Sequence, residues 1–327
     1  MNQNNNILSI KDLSVHYITK ETGICKAVNK FSLDIKKGEA IGLVGETGAG
    51  KTTVALSILK LLQTPPGKVV SGEIFYKGKD ILKMNNSEIR KIRGEEISMI
   101  FQDPMTALNP IDSVGKQIAE VIYLHKKVSK REAMKLAADA LELVGIPKER
   151  MNEYPNQFSG GMKQRVVIAT ALACSPQLLL ADEPTTALDV TIQAQVLDLM
   201  NELKKNLNTS LLLITHDLGV VAEMCDRVAI MYAGEIVEIG PVKSIFRNPQ
   251  HPYTRGLFEA LPSNKSNSKR LKQIDGLMPD PTNLPPYCKF EPRCSKGSKG
   301  CGAQCPEFIE VSEGHWVRCH LAGEKWG

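Results

Sequence analysis

Gly45-Glu46-Thr47-Gly48-Ala49-Gly50-Lys51-Thr52 decides the fold. It follows the unbroken apolar run Ala40-Ile41-Gly42-Leu43-Val44 and precedes Val54 to Leu62, whose composition is helical, so it joins a buried strand to a helix. In that setting it matches the phosphate-binding loop pattern. Its glycines let backbone N–H groups turn inward around phosphate oxygens, and the helix behind presents its positive end. Lys51 reaches the outer phosphates, and Thr52 offers a hydroxyl to magnesium. A plain glycine-rich turn with a solvated lysine is disfavoured by the flanking strand and helix.

Upstream of the loop, short apolar runs such as Ile7-Leu8-Ser9-Ile10 and Phe31-Ser32-Leu33-Asp34-Ile35 alternate with turn signals and read as strands. Downstream, Leu178-Leu179-Leu180-Ala181 ends in Asp182-Glu183, followed by a helical Thr191 to Lys204 and the apolar strand Leu211 to Ile214. Strands alternating with helices imply an α/β fold with a mostly parallel sheet covered on both faces. Between the halves, Ser129-Lys130-Arg131-Glu132 is a capping box. Ala133, Leu136, Ala137, Ala140, Leu141 and Val144 follow at helical spacing, so a helical insert occupies the middle. Adjacent strand residues face opposite ways, so Asp182 and Glu183 take different tasks. Asp182 is assigned to the outer sphere of the magnesium ion and Glu183 to polarising the attacking water.

The chain has 327 residues, 42% of them hydrophobic, enough for one large domain and a smaller appendage. Lysine and arginine number 41 against 36 acidic residues, an excess too small to specify a partner. No apolar run approaches the ~20 residues that span a bilayer, and the polar start lacks the regions of a signal peptide, so the chain is expected in the cytoplasm. Cys25, Cys174 and Cys225 are single and read as inert thiols. Cys288, Cys294, Cys301, Cys305 and Cys319 crowd the C-terminal end, where a reducing cytosol favours metal ligation over disulfides.

Phe158-Ser159-Gly160-Gly161-Met162-Lys163-Gln164-Arg165 resembles the signature motif of ATP-binding cassette (ABC) ATPases. Ser159 and the glycines open a helix, and together they make a second phosphate-binding surface from a hydroxyl, exposed N–H groups and a helix dipole. In that family two subunits sandwich two ATP molecules head to tail, so this surface faces a partner's nucleotide. The resemblance covers about residues 7 to 262. It implies that Tyr17 stacks on adenine, that Gln102 senses the γ-phosphate and joins Thr52 and Asp182 around Mg2+, and that Ala187-Leu188-Asp189 contacts the other subunit. His216 would act as the switch histidine. Nucleotide contacts would come from Tyr17, from Gly45 through Thr53, from Ser159, Gly160 and Gly161, and from Asp189. The expected layout is an ABC ATPase domain over 1–262, with a helical subdomain about 104–173, and a linker and Cys-rich metal-binding tail over 263–327.

Only about 110 residues separate Lys51 from Ser159 and no heptads are sustained, which argues against the coiled-coil cassettes of DNA repair. One core in the chain argues against ribosome-associated cassettes, so nucleic acid is not an expected partner. Gln102-Asp103-Pro104-Met105-Thr106-Ala107-Leu108-Asn109-Pro110 and Asn248-Pro249-Gln250-His251-Pro252-Tyr253-Thr254 resemble the ATPases of dipeptide, oligopeptide and nickel importers. That resemblance implies two membrane-spanning permease subunits, a homologous second ATPase or a second copy, an external peptide-binding protein, and a place on the cytoplasmic face of the membrane. Peptide is the favoured cargo and nickel the alternative. In the tail, Pro- and Gly-rich segments bury too little apolar surface to hold themselves, so ligation must contribute. Cys288, Cys294, Cys301 and Cys319 lack paired Cys-x-x-Cys loops, which favours a 4Fe–4S cluster over Zn2+. Cys305 is the expected spare, and His315 is a possible substitute ligand.

Overall fold

The computed structural model describes residues 5–21, 23–186, 188–260, 274–297 and 300–323. The polar linker 263–270 and Ala187 lie outside the described residues. The chain divides into two compact units, one of residues 1–8, 35–40 and 76–215, the other of residues 9–34, 41–75 and 216–327.

In the first unit, strands Ile97–Ile100, Leu178–Asp182 and Ser210–Thr215 run parallel, with Ile97 opposite Leu178 and Leu178 opposite Ser210. Every residue of the latter two is buried, which is why their sequence is apolar throughout instead of alternating. Helices Val114–His125, Lys130–Leu143 and Gly160–Leu172 pack on one another and form the expected helical subdomain. Ser129 Oγ accepts the N–H of Glu132 at 3.2 Å, the forward half of the expected capping box. Ala133, Ala137, Ala140 and Leu141 are buried as their spacing predicts.

In the second unit, Ala40–Val44 lies parallel to Arg227–Tyr232, with Val44 opposite Ile230. Arg227–Tyr232 pairs antiparallel with Glu235–Pro241, and that strand pairs in turn with His315–Arg318, Glu238 opposite Val317. Phe308–Ser312 closes the hairpin. The C-terminal residues therefore extend a sheet of the same unit that carries the phosphate loop, where the sequence suggested a separate appendage. Tyr232, Tyr253 and Phe290 interlock nearby, with ring centroids 4.7 to 5.4 Å apart.

Glu238 is fully buried within this unit. Its carboxylate accepts the N–H groups of Gln250 at 2.7 Å and His251 at 2.9 Å, and Nε2 of His315 lies 2.7 Å from Oε1. The expectation that His315 could replace a cysteine ligand is thereby corrected: a buried carboxylate needs several partners, and His315 is one of them.

His251 is buried beside the same carboxylate, and burial pushes its pKa down to about 4, against the pull of Glu238. Its Nδ1 accepts the N–H of Tyr253 at 3.1 Å. The unfolded chain takes up this proton near pH 6.5 and the folded chain only near pH 4, so His251 lowers stability as pH falls through that window, by about 3 kcal/mol at its end. In His251→Asn the amide oxygen can accept the same N–H while the imidazole is gone. Urea midpoints measured from pH 7.5 to 4.5 are expected to fall less steeply for His251→Asn than for the parent; equal slopes would show that His251 is not held neutral.

Candidate nucleotide site

The phosphate loop runs from the end of Ala40–Val44 into helix Lys51–Ile58. Two of its glycines hold left-handed backbone, Gly48 at φ +85° and Gly50 at φ +103°. A Cβ on Gly45 would stand 2.2 Å from the Met231 carbonyl oxygen, and one on Gly50 2.3 Å from that of Ala27. Only glycine fits either place. Thr47, Gly48 and Thr52 are exposed, so the loop's outer face is open to a ligand. Lys51 is buried, and its Nζ donates to the carbonyls of Gly45 at 2.7 Å and Glu46 at 3.1 Å. Tyr17 and Thr53 meet through their hydroxyls at 3.1 Å, which brings the expected adenine-stacking residue to the first turn of the helix behind the loop.

The first unit carries the carboxylates. Asp182 ends a wholly buried strand and is itself 2% exposed. Glu183 follows with φ +47°, a left-handed conformation that a non-glycine residue adopts only when its surroundings impose it. Its N–H donates to the Ile214 carbonyl at 2.8 Å, and its Oε2 accepts from Gln102 Nε2 and from Thr186 Oγ1, each at 3.0 Å. Two residues assigned to catalysis from sequence, Gln102 and Glu183, are thus in direct contact. His216 is exposed in the second unit, at the entry to helix Leu218–Met224. The cap of that helix is Asp217, whose Oδ1 accepts from Gly219 and Val220, so capping does not explain His216.

Two helix starts in the first unit carry the motifs that the resemblance assigns to a partner subunit. Ser159 caps Gly160–Leu172, its Oγ accepting the N–H of Met162 at 3.4 Å, and Asp189 caps Val190–Leu207, its Oδ1 accepting the N–H of Ile192 at 3.0 Å. Ser159, Gly160 and Asp189 are all exposed. A Cβ on Gly161 would come within 2.4 Å of Ile192 Cγ2, so the second signature glycine is also demanded by packing.

Sequence reasoning missed two residues. Gln164 is fully buried in the signature helix and donates to the carbonyl of Pro184, just after Glu183. Arg293, between two tail cysteines, forks onto the carboxylate of Glu46 at 2.8 and 3.0 Å. A glutamine inside an otherwise apolar helical face was the one available signal for the first; nothing local signals the second.

In the tail, Cys301 and Cys319 are buried and Cys288 and Cys294 half-buried. Burial pushes the Cys288 thiol up to about 11 and Cys319 up to about 12, and raises Cys294. Cys288, Cys294 and Cys301 each lie within electrostatic range of Cys319. Among the described residues, however, no three His, Cys, Asp or Glu side chains are gathered as a single metal ion requires.

A phosphate loop, a carboxylate pair and a signature helix on an α/β scaffold define a nucleotide-hydrolysing cassette. Residues 28–186 match the ABC transporter family, and residues 237–301 match the oligopeptide/dipeptide transporter C-terminal region. The oligopeptide transport ATP-binding protein OppD of Bacillus subtilis (strain 168) is 50% identical over 318 residues, covering 96% of this chain and 88% of that protein. The dipeptide transport ATP-binding protein DppD of the same strain is 49% identical over 321 residues, 98% of this chain and 96% of that protein. Among solved structures, the ATP-binding cassette MJ0796, in a dimeric post-hydrolysis state bound to ADP and Pi, matches with a TM-score of 0.65 at 28% identity, over 72% of this chain and 98% of that one. The chain belongs to the ATP-binding subunits of ABC transporters, within the group closely related to oligopeptide and dipeptide import systems. It is an ATPase coupled to transport.

Glu183→Gln keeps the hydrogen-bonding shape but removes the carboxylate that the sequence assigns as the base. ATP binding is expected to persist while turnover falls by roughly 10²- to 10⁴-fold, the range for loss of a general base. Lys51→Ala should instead weaken ATP binding itself. Hydrolysis by Glu183→Gln at the parent rate would place the base elsewhere.

Proposed function

We propose that this chain binds and hydrolyses ATP to energise import of di- and oligopeptides, working as one half of a head-to-tail pair. The observation that carries the pairing is the exposed start of helix Gly160–Leu172. Ser159 and Gly160 stand open to solvent there, with no lysine at the contact point, in a chain that already owns a complete phosphate loop. A second phosphate-binding surface has a use if it completes a partner's nucleotide site. Lys51 and the loop amides hold the phosphates, Tyr17 takes the adenine ring, and Glu183, oriented by Gln102 and Thr186, accepts a proton from the attacking water. His216 and Asp189 serve as switch and subunit contact.

Mg2+ neutralises phosphate charge when bound. The exposed Thr52 hydroxyl and the Gln102 amide oxygen would be the oxygen donors this hard cation prefers, and the buried Asp182 carboxylate would sit in its outer sphere, where a nearby positive charge stabilises it.

The peptide cargo rests on the relatives and on the matched C-terminal region. Among the described residues no helix is long and apolar enough to cross a membrane. Transport therefore requires membrane-spanning partners: two permease subunits, a second ATPase subunit that is homologous or identical, and an external peptide-binding protein, with this chain on the cytoplasmic face. Purification of tagged chain from its native membrane is expected to bring down the permease subunits. Ser159→Arg should bind ATP as the parent does yet fail to form ATP-dependent pairs or hydrolyse, because the cation would occupy the partner's γ-phosphate position. Poor ATP binding by monomeric Ser159→Arg would put Ser159 in its own site and sink the head-to-tail model.

The second part of the proposal is that Cys288, Cys294, Cys301 and Cys319 hold a 4Fe–4S cluster. Support comes from the charge interaction of Cys288, Cys294 and Cys301 with Cys319 and from the sequence spacing of the four, which lacks the paired Cys-x-x-Cys loops of structural zinc sites. The cluster would cross-link the tail. Anaerobically purified protein is expected to be brown, with broad visible absorption that the four Cys→Ser variants lose and Cys305→Ser keeps. Colourless protein with stoichiometric zinc, or with no metal, would refute the iron assignment.

A further inference from the structure

We propose that Arg293 is a positioning residue for ATP binding: it grips the Glu46 carboxylate and so holds the phosphate loop in its binding shape. This rests on reading Gly45 to Thr52 as the ATP loop.

Glu46 is the second residue of that loop, and every polar group it has is held. Its N–H donates to Tyr253 Oη at 2.9 Å, and its carbonyl accepts from Lys51 Nζ. Its Oε2 accepts from Arg293 Nη1 at 2.8 Å and its Oε1 from Nη2 at 3.0 Å. The fork-on-carboxylate geometry is the strongest of the side-chain ion pairs, and it is largely screened from water, with the Arg293 side chain 6% exposed and that of Glu46 29% exposed.

Arg293 is itself immobilised. A guanidinium has five N–H donors, and the three bonds beyond Glu46 go to the Asp275 carbonyl through Nε at 2.9 Å, to Tyr232 Oη through Nη1 at 3.3 Å, and to the Ile274 carbonyl through Nη2 at 3.3 Å. The group also lies over the rings of Tyr232 and Phe290, 5.8 and 6.0 Å from their centroids. Its position is therefore set by strand Arg227–Tyr232 and by two tail segments, and it transmits that position to the loop.

The demand for such a grip comes from Lys51. Its ammonium bonds the carbonyls of Gly45 and Glu46, and phosphate oxygens compete for those donors. When Lys51 turns to phosphate, residue 46 loses one of its ties and keeps its place through Tyr253, the Ala49 N–H that donates to its carbonyl at 3.1 Å, and Arg293, the one of these that holds its side chain. The tail does not depend on Arg293 in return. Lys26 N–H donates to the Pro281 carbonyl at 2.8 Å, and strand His315–Arg318 pairs with Glu235–Pro241, so the tail has anchors of its own. Met278 also stands against the loop, its methyl 3.2 Å from where a Cβ on Gly48 would be. Residues 274–294 are thus a strap along the outside of the phosphate loop, and Arg293 is its clasp.

The test is the affinity for Mg2+·ATP of Arg293→Gln, Arg293→Lys, Glu46→Gln and the Arg293→Gln/Glu46→Gln pair, read by calorimetry together with melting temperature. Arg293→Gln is expected to raise Kd about tenfold, the scale of one lost charge-assisted pair. In steady state, KM should rise far more than kcat falls. Glu46→Gln should match it, and the double variant should be no worse than either single one, because both remove one interaction. Arg293→Lys should recover only part, since an ammonium cannot span both carboxylate oxygens. A lowered melting temperature with the parent Kd in Arg293→Gln would overturn the proposal and leave Arg293 a staple of the tail. Should Arg293→Gln not fold, Glu46→Gln decides by the same Kd, parent affinity overturning the proposal. If Lys51→Ala also binds ATP like the parent, the ATP-loop reading falls and takes this proposal with it, whereas weak binding by Lys51→Ala beside normal binding by Arg293→Gln removes the proposal alone.

Discussion

Between Val44 and Lys51 the chain reverses with Thr47 and Gly48 exposed, and it does so against two backbone carbonyls. The oxygens of Met231 and Ala27 lie where Cβ atoms on Gly45 and Gly50 would go. Met231 is fixed by the parallel register of Ala40–Val44 with Arg227–Tyr232, and Ala27 belongs to strand Gly23–Lys36. The loop's shape is therefore cast by the neighbouring strands. A methyl group at either glycine would have to move a backbone, and backbone in a paired strand does not yield cheaply. The N–H of Gly234 donates to the Ala49 carbonyl at 3.0 Å, which ties the turn after Arg227–Tyr232 to the same loop.

Glu183 shows the complementary device, strain instead of space. A glutamate at φ +47° costs conformational energy, and its N–H bond to Ile214 together with the two bonds to its carboxylate offset that cost. The result is a carboxylate turned off the line of the buried strand that delivers Asp182. Gln164 adds a tie in the same unit. It is fully buried, and its amide reaches the Pro184 carbonyl, so the helix that begins with the signature residues is bonded to the segment that follows Glu183. A force on the partner-facing end of that helix has a short covalent and hydrogen-bonded route to Glu183.

The features legible in the sequence are those whose cause is local. The phosphate loop carries its glycines and lysine within seven consecutive residues, Ser159 and two glycines open a helix, and the strands around Asp182 and Ile214 announce complete burial by their unbroken apolar composition. The role of Gln102 came through resemblance, and its contact with Glu183 is seen only in the structure, because two residues so far apart in sequence share no periodicity. The tail was the least legible. Arg293 and Glu46 are 247 positions apart, and in a Pro- and Cys-rich segment an arginine reads as surface charge. His315 reads as a metal ligand beside cysteines, yet the buried carboxylate that claims it, Glu238, sits in a strand whose alternation gives no hint of a charge facing inward.

This placement changes what cross-linking the tail would mean. With Cys288 and Cys319 pushed up to about 11 and 12 by burial, their thiols stay protonated near neutral pH, and thiolates there require a compensating cation. Phe290 packing and the Phe308–Ser312 and His315–Arg318 hairpin supply part of the tail's stability without one. Arg293 lies directly before Cys294 and five residues after Cys288. Whatever holds those two sulfurs therefore narrows the freedom of the guanidinium between them, and through it the freedom of Glu46. Through the Arg293–Glu46 pair the C-terminal segment is bonded to the phosphate loop of its own unit, so the order of one is linked to the order of the other.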